Sequence, residues 1–322
     1  FEYAWKRLVN PATAADYNYM LDCVVNANEI MAGEKDPSEL AVKAVDDKTF
    51  EVTLTTDLPY FDELCAFPAM MPVRQDIIEA NGDQWTFDPS TYISNGPYKL
   101  TEWTHNSQIV MAKDENYYDY ENLGPDTIKF TLLDDNNAML KGYNNGELDF
   151  IENLPVDEIP TYLASGELEI GDYLGTYYVC FNTEDEVFSD PNIRKAFSLV
   201  IDRNYIVENV SQAGELPADG YVPNGVNDAA GAGSDDFRTV GGSYYSISDE
   251  DYEANCEEAR QLLADAGYPN GEGFPTVEYL YNTADNHKKI GEALQNMWQT
   301  ELGVTVNLNN QDWNVFLQNR KD

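Results

Sequence analysis

One stretch constrains the fold more than any other. From Thr276 to Tyr281 the residues Thr-Val-Glu-Tyr-Leu-Tyr read as a strand. A helix then begins near Asp285, with Ile290, Ala293, Leu294, Met297 and Trp298 on one face, and after Gly303 the residues Val304, Val306 and Leu308 alternate as a second strand. Strand, helix and strand in this order make a β-α-β crossover, which pairs its strands in parallel and lays the helix over one face of the sheet. A chain built around such a unit is an α/β protein.

The segments upstream are consistent with that class. Asp190-Pro191 is a helix start, because aspartate caps a helix and proline suits its first position; Ile193, Ala196, Phe197, Val200 and Ile201 then share a face. A second helix carries Ala259, Leu262, Leu263 and Ala266 and stops at Gly267 before Pro269. Nearer the start, Ala41–Val45 and Thr49–Leu54 flank the turn-like Asp46-Asp47-Lys48 and predict a hairpin. Tyr98–Leu100, Gln108–Met111 and Thr127–Leu132 are further strand candidates, interrupted by Asn116-Tyr117-Tyr118-Asp119, so the first half mixes both element types. The stretch Asn224–Tyr245 is rich in Gly, Asp, Asn and Ser and reads as an exposed loop. Its glycines lack the strand-turn-helix setting of a phosphate cradle.

Composition narrows the functional classes. The 322 residues allow two or three domains, and 43% hydrophobic with 12% aromatic residues supplies packed cores. Nineteen basic against 58 acidic residues leave a net charge of −39. That balance argues against nucleic acid or an anionic bilayer as partner, since phosphate binding draws on clustered Lys and Arg. No stretch reaches the roughly 20 apolar residues of a membrane span. Phe1–Arg7 reads like the interior of a helix, so the start looks truncated. Cys23, Cys65, Cys180 and Cys256 stand far apart without metal-type spacing and are expected to be buried free thiols, one disulfide being the alternative. Carboxylate pairs such as Asp134-Asp135 and Glu257-Glu258 follow from the abundance of acids, and adjacent side chains diverge, so they do not make an acid and base pair. No enzyme and no cofactor is read from the sequence.

Several segments, in order, resemble the solute-binding proteins that serve oligopeptide and dipeptide ABC transporters (family 5). They are Tyr3-Ala4-Trp5-Lys6-Arg7 with Asn10-Pro11, Val45–Leu54, Ser94-Asn95-Gly96-Pro97-Tyr98-Lys99-Leu100 with Trp103, Asn116-Tyr117-Tyr118, and Gly146-Glu147-Leu148-Asp149. The most specific are Phe188–Ala196, continuing to Ile201-Asp202-Arg203, and Ala259-Arg260-Gln261-Leu262-Leu263 through Ala266-Gly267-Tyr268. The resemblance implies an α/β fold of the periplasmic-binding-protein type II, with two hinged lobes and an extra domain, three domains in all. It places an accessory domain of the first lobe at 1–74, the core of that lobe at 75–178 and the second lobe at 179–322, each in part. It also implies an extracytoplasmic receptor, a monomer tethered through a lipid anchor outside this chain, that captures short peptides and hands them to ABC transporter permease subunits. Peptide backbone held as an added strand, with hydrated side-chain pockets, would give affinity without strong sequence preference.

The resemblance also carries residue roles. His287, in Tyr281-Asn282-Thr283-Ala284-Asp285-Asn286-His287-Lys288-Lys289, matches a cleft histidine of enteric-type oligopeptide binders that helps hold the peptide carboxylate. Trp313, in Asn310-Gln311-Asp312-Trp313, matches a tryptophan lining a side-chain pocket, and Arg320 matches a cleft arginine whose planar fork suits a carboxylate. Tyr17, in Asp16-Tyr17-Asn18-Tyr19, matches a stretch that lends a tyrosine to the cleft. Ser211 stands where the enteric pattern has a lysine, and the aspartate that anchors a peptide's amino terminus would lie beyond Asp322. Relatives that carry dipeptides, nickel chelates, haem or sugars, and peptide-sensing or adhesion proteins of the same fold, are the alternatives.

Overall fold

The structure is a computed structural model and describes residues 1–321. The chain divides into two compact units, Phe1–Asp134 and Asp135–Asp322.

In the first unit, the helix Glu2–Leu8 buries Ala4, Trp5 and Leu8. The Trp5 ring meets Phe50 edge-on at 5.3 Å, and its indole nitrogen donates to the carbonyl of Met70 at 2.9 Å. A buried indole satisfies its single donor in this way, so the aromatic area is gained without an orphaned polar group. Leu21, Val24, Ala27, Ile30 and Leu40 complete that core. The expected hairpin is present as β1 (Val42–Asp46) and β2 (Thr49–Val52), antiparallel, with Val42 opposite Val52. Asp46 accepts from the backbone of Lys48 at 2.8 Å and so fixes the turn. The three later candidates form one antiparallel sheet in the order β3 (Tyr98–Thr104), β4 (Gln108–Lys113), β5 (Thr127–Thr131).

The second unit is organised about Phe197 and Trp298. Asp190 caps the helix Pro191–Leu199 by accepting from Asn192 at 2.8 Å, and Ile193, Ala196 and Phe197 face inward. The helix Tyr252–Asp265 adds Cys256, Ala259 and Leu263, and the chain leaves it through Gly267 at a positive φ of 100°. The predicted crossover is β6 (Val277–Asn282), the helix Asp285–Leu302 and β7 (Val306–Gln311), with Val277 paired to Val306 in parallel. Ile290, Leu294, Met297 and Trp298 are buried beneath that helix, and Trp298 donates to the Phe197 carbonyl at 2.9 Å.

Two expectations need correction. The stretch 224–245 is not a uniformly exposed loop. Asp236 accepts from Gly225 at 2.6 Å and Arg238 at 2.7 Å, which starts a short helix, Phe237–Gly241. The Arg238 side chain, 11% exposed, pairs with Asp219 at 3.3 Å and donates to the Gly242 carbonyl. It lies so flat against Gly220 that a Cβ there would fall 2.4 Å from the guanidinium, so a larger residue at 220 would push the end of the arginine side chain aside. The cysteines are all free thiols, but only Cys23 and Cys256 are buried; Cys65 is half-buried and Cys180 exposed, since residue 180 lies in a segment without regular structure.

Candidate functional site

In a parallel pair both strands end on the same edge, and in open α/β sheets that carboxyl edge is where ligands bind. Here the edge of β6 and β7 is stitched by Thr283, whose amide donates to the Gln311 carbonyl at 2.9 Å and whose hydroxyl donates to Asn310 at 3.0 Å. Two helices start from it. His287 lies in the first turn of Asp285–Leu302, half-buried. Trp313 opens the next helix, Trp313–Asn319, which Asp312 caps by accepting from Asn314 at 3.0 Å. Asn319 ties that helix back to Gln311 at 3.1 Å.

The side chains at this edge differ in what they offer. The Trp313 ring is 52% exposed and stacks on Phe316 at 5.8 Å, so one aromatic face is left open to a ligand. Arg320 follows the same helix as its exposed C-cap. Burial pulls the His287 imidazole below its ordinary value, which favours the neutral ring. Its Nδ1 sits 2.9 Å from the Tyr177 hydroxyl.

Tyr177 and Tyr178 come from residues 167–182, which have no regular secondary structure. Tyr178 meets Tyr221 edge-on at 5.1 Å. Their hydrogen bond is the main cause that raises the Tyr178 phenol, and the charge of Arg320 works against that rise. The segment therefore reaches His287 through Tyr177. His287 and Trp313 thus belong to one edge, and Arg320 lies at the far end of the helix that Trp313 opens. Tyr17 belongs to the first unit, where it is 51% exposed and packs on Phe67 at 5.2 Å. Ser211 ends a π-helical turn, Ile206–Ser211, with its hydroxyl held by Glu215 at 3.1 Å. A concavity of about 660 Å³ lined by Asp219 and residues 243–248 contains none of the candidate residues.

Sequence reasoning missed Tyr177 and Tyr178. The available signal was the Tyr177-Tyr178 doublet, but with 22 tyrosines in the chain and no periodicity around it, nothing singled it out.

Among the described residues no helix is long and apolar enough to cross a membrane, and no group of three or more His, Cys, Asp and Glu side chains is placed to hold a metal ion. The family model described as bacterial extracellular solute-binding proteins, family 5 Middle, matches residues 1–322. The chain is 36% identical over 321 residues to the oligopeptide-binding protein OppA of Bacillus subtilis, covering 98% of this chain and 57% of the relative. It is also 36% identical to the periplasmic oligopeptide-binding protein OppA of Salmonella typhimurium, over 99% of this chain and 58% of the relative. The chain therefore spans little more than half the length of these relatives. Among solved structures, the complex of Haemophilus influenzae OppA with RPPGFSPFR superposes with a TM-score of 0.87 at 32% identity, covering all of this chain and 62% of that one. Such neighbours carry the type II periplasmic-binding-protein fold, which agrees with the expected α/β class. The chain belongs to the family 5 bacterial extracellular solute-binding proteins.

Proposed function

We propose that the protein is the extracytoplasmic substrate-binding component of an oligopeptide ABC transporter, capturing short peptides and delivering them to the permease without chemical change. The observation that carries this reading is the shared edge of β6 and β7. A neutral imidazole donor and an open aromatic face start the two helices there, and a guanidinium lies at the far end of the second. A guanidinium and an imidazole N–H suit a peptide carboxylate, while a bare tryptophan face accepts varied side chains. Relatives named for oligopeptide binding support the ligand class. On this reading His287, Trp313 and Arg320 contact the peptide, and Tyr17 is a separate candidate contact within the first unit. The division into residues 1–74, 75–178 and 179–322 is part of the proposal, supported by two separate hydrophobic clusters lying within the first and last of these ranges.

The test is native mass spectrometry after incubation with a random peptide pool. Peptides of mixed sequence are expected to be retained and released intact. Recovery of unliganded protein only, or of a non-peptide ligand, overturns the reading, and cleaved peptides overturn the absence of catalysis.

A further inference from the structure

We propose that the concavity of about 660 Å³ bounded by Asp219 and residues 243–248 is a second binding site, separate from the edge of β6 and β7, and that it takes a neutral saccharide.

Its volume falls within the range of small-molecule sites, about 300–1,000 Å³. Its wall, residues 243–248, is neither helix nor strand, and yet it is pinned from several other elements. At one end, the Asp219 carboxylate accepts from the Ser243 hydroxyl, and the Asp219 carbonyl accepts from the Tyr244 amide at 3.1 Å. In the middle, the Tyr245 hydroxyl donates to the Ala218 carbonyl at 3.2 Å, and its ring lies under the Arg203 guanidinium at 4.2 Å. At the other end, Asn255 donates to the Ser246 carbonyl at 2.9 Å and Asn204 to the Ile247 carbonyl at 2.8 Å. A wall fixed in this way keeps its shape without a ligand, so binding carries little ordering cost.

The groups left over define the ligand. Tyr244 is 76% exposed, which leaves its ring face and hydroxyl open. Ser248 accepts from the Glu250 amide at 3.2 Å and so has its own hydroxyl proton to give. Asp219 keeps lone pairs beyond those used by Ser243 and Arg238. Donor, acceptor and aromatic face therefore line one concavity. A sugar ring offers the complement: hydroxyls that donate and accept around its rim, and an apolar C–H face that lies on an aromatic ring.

Charge decides against other classes. Asp219 is the one carboxylate in the lining, and Arg238 pairs with it at 3.3 Å, so an ammonium group meets no unmatched charge. An anion meets no free cation, because Arg238 is also committed to the Gly242 carbonyl and Arg203 to the carbonyls of Ser198 and Ile201 at 3.1 and 3.0 Å. An apolar ligand would take the open groups of Asp219 and Ser248 out of water without replacing their hydrogen bonds.

The test is two-dimensional amide NMR of the isotopically labelled protein titrated with cellobiose, maltose and diacetylchitobiose. At least one should shift the amides of residues 243–248 with a dissociation constant on the order of 1 mM, weak because the mouth of the site stays in water. Choline and inorganic phosphate should leave those amides in place. Tyr244→Ala should weaken saccharide binding about tenfold, and Tyr244→Phe, which keeps the stacking face, by about threefold or less. No shift with any of the three sugars at about 20 mM, a stronger response to choline or phosphate, or binding untouched by Tyr244→Ala overturns the proposal. Peptide retention should be the same in Tyr244→Ala as in the unaltered protein. Failure of the unaltered protein to retain peptides sinks the transport reading and leaves the saccharide site decided by its own signal.

Discussion

The core around Phe197 and the sheet β3–β5 obey the same rules of local structure and differ in what holds them. Phe197 is fully buried and Trp298 is 2% exposed. Their rings lie 5.5 Å apart, and Phe188 and Phe274 close on Phe197 at 5.1 and 5.6 Å. In the sheet, by contrast, all six residues of β4 are half-buried, Phe130 of β5 is 49% exposed, and no residue of the three strands belongs to the buried core. Its order comes from the ladder, with Leu100 opposite Met111 and Met111 opposite Ile128. Cross-strand pairs are worth a few tenths to about 1 kcal/mol each, whereas full burial of a large side chain is worth about 1.5–3 kcal/mol. A strand pattern in the sequence therefore identifies a strand but says little about how strongly it is held.

The largest effect that would break this contrast is at Trp298. Truncation by Trp298→Ala removes the ring and leaves the Phe197 carbonyl without its donor, and should cost about 3–5 kcal/mol. Urea denaturation combined with amide exchange should show the loss across residues 187–306, which bound that cluster. A cost near that of a sheet substitution would mean that the core is no tighter than the sheet. At the centre of β4, Val110→Ala should cost only about 1 kcal/mol or less by the same measurement, because its side chain is already half in water. A penalty of core size would show that the sheet is covered.

The smallest effect lies at the sheet's edge, where Lys113 pairs with Asp126 at 3.0 Å and its ammonium is held above the usual lysine range, first by that bond. A folded value raised above the unfolded one, about 10.4, contributes stability that is present below that pH and is lost as pH rises through the folded value. Asp126 is 95% exposed, so screening keeps the contribution slight. Comparing urea midpoints of the unaltered protein and Asp126→Asn at pH 9 and pH 11.5, the difference should shrink at the higher pH and in high salt. A difference that grows with pH would reverse the assignment.

Much of the fold was legible because local chemistry announces it. The Asp190 cap and the proline after it, the glycines at 267 and 303, and the 3.6-residue spacing from Ile290 to Trp298 each correspond to a boundary or buried face in the structure. The stretch 224–245 was misread because its polar, glycine-rich composition hides one arginine that packs inward, and composition does not record which side chain a glycine makes room for. Of the candidate site, His287 and Trp313 could be located relative to the strand ends, since the crossover pattern puts both beside the same edge.

What the sequence alone determined is the α/β class, the crossover and the family, because periodicity, caps and ordered motifs are properties of neighbouring residues. Tertiary structure alone decided that Tyr177, more than a hundred positions before His287, supplies the partner of its Nδ1. The segment 167–182 that carries Tyr177 has no regular structure and hence no period to read, so its side-chain directions are set by tertiary packing rather than by the order of its residues.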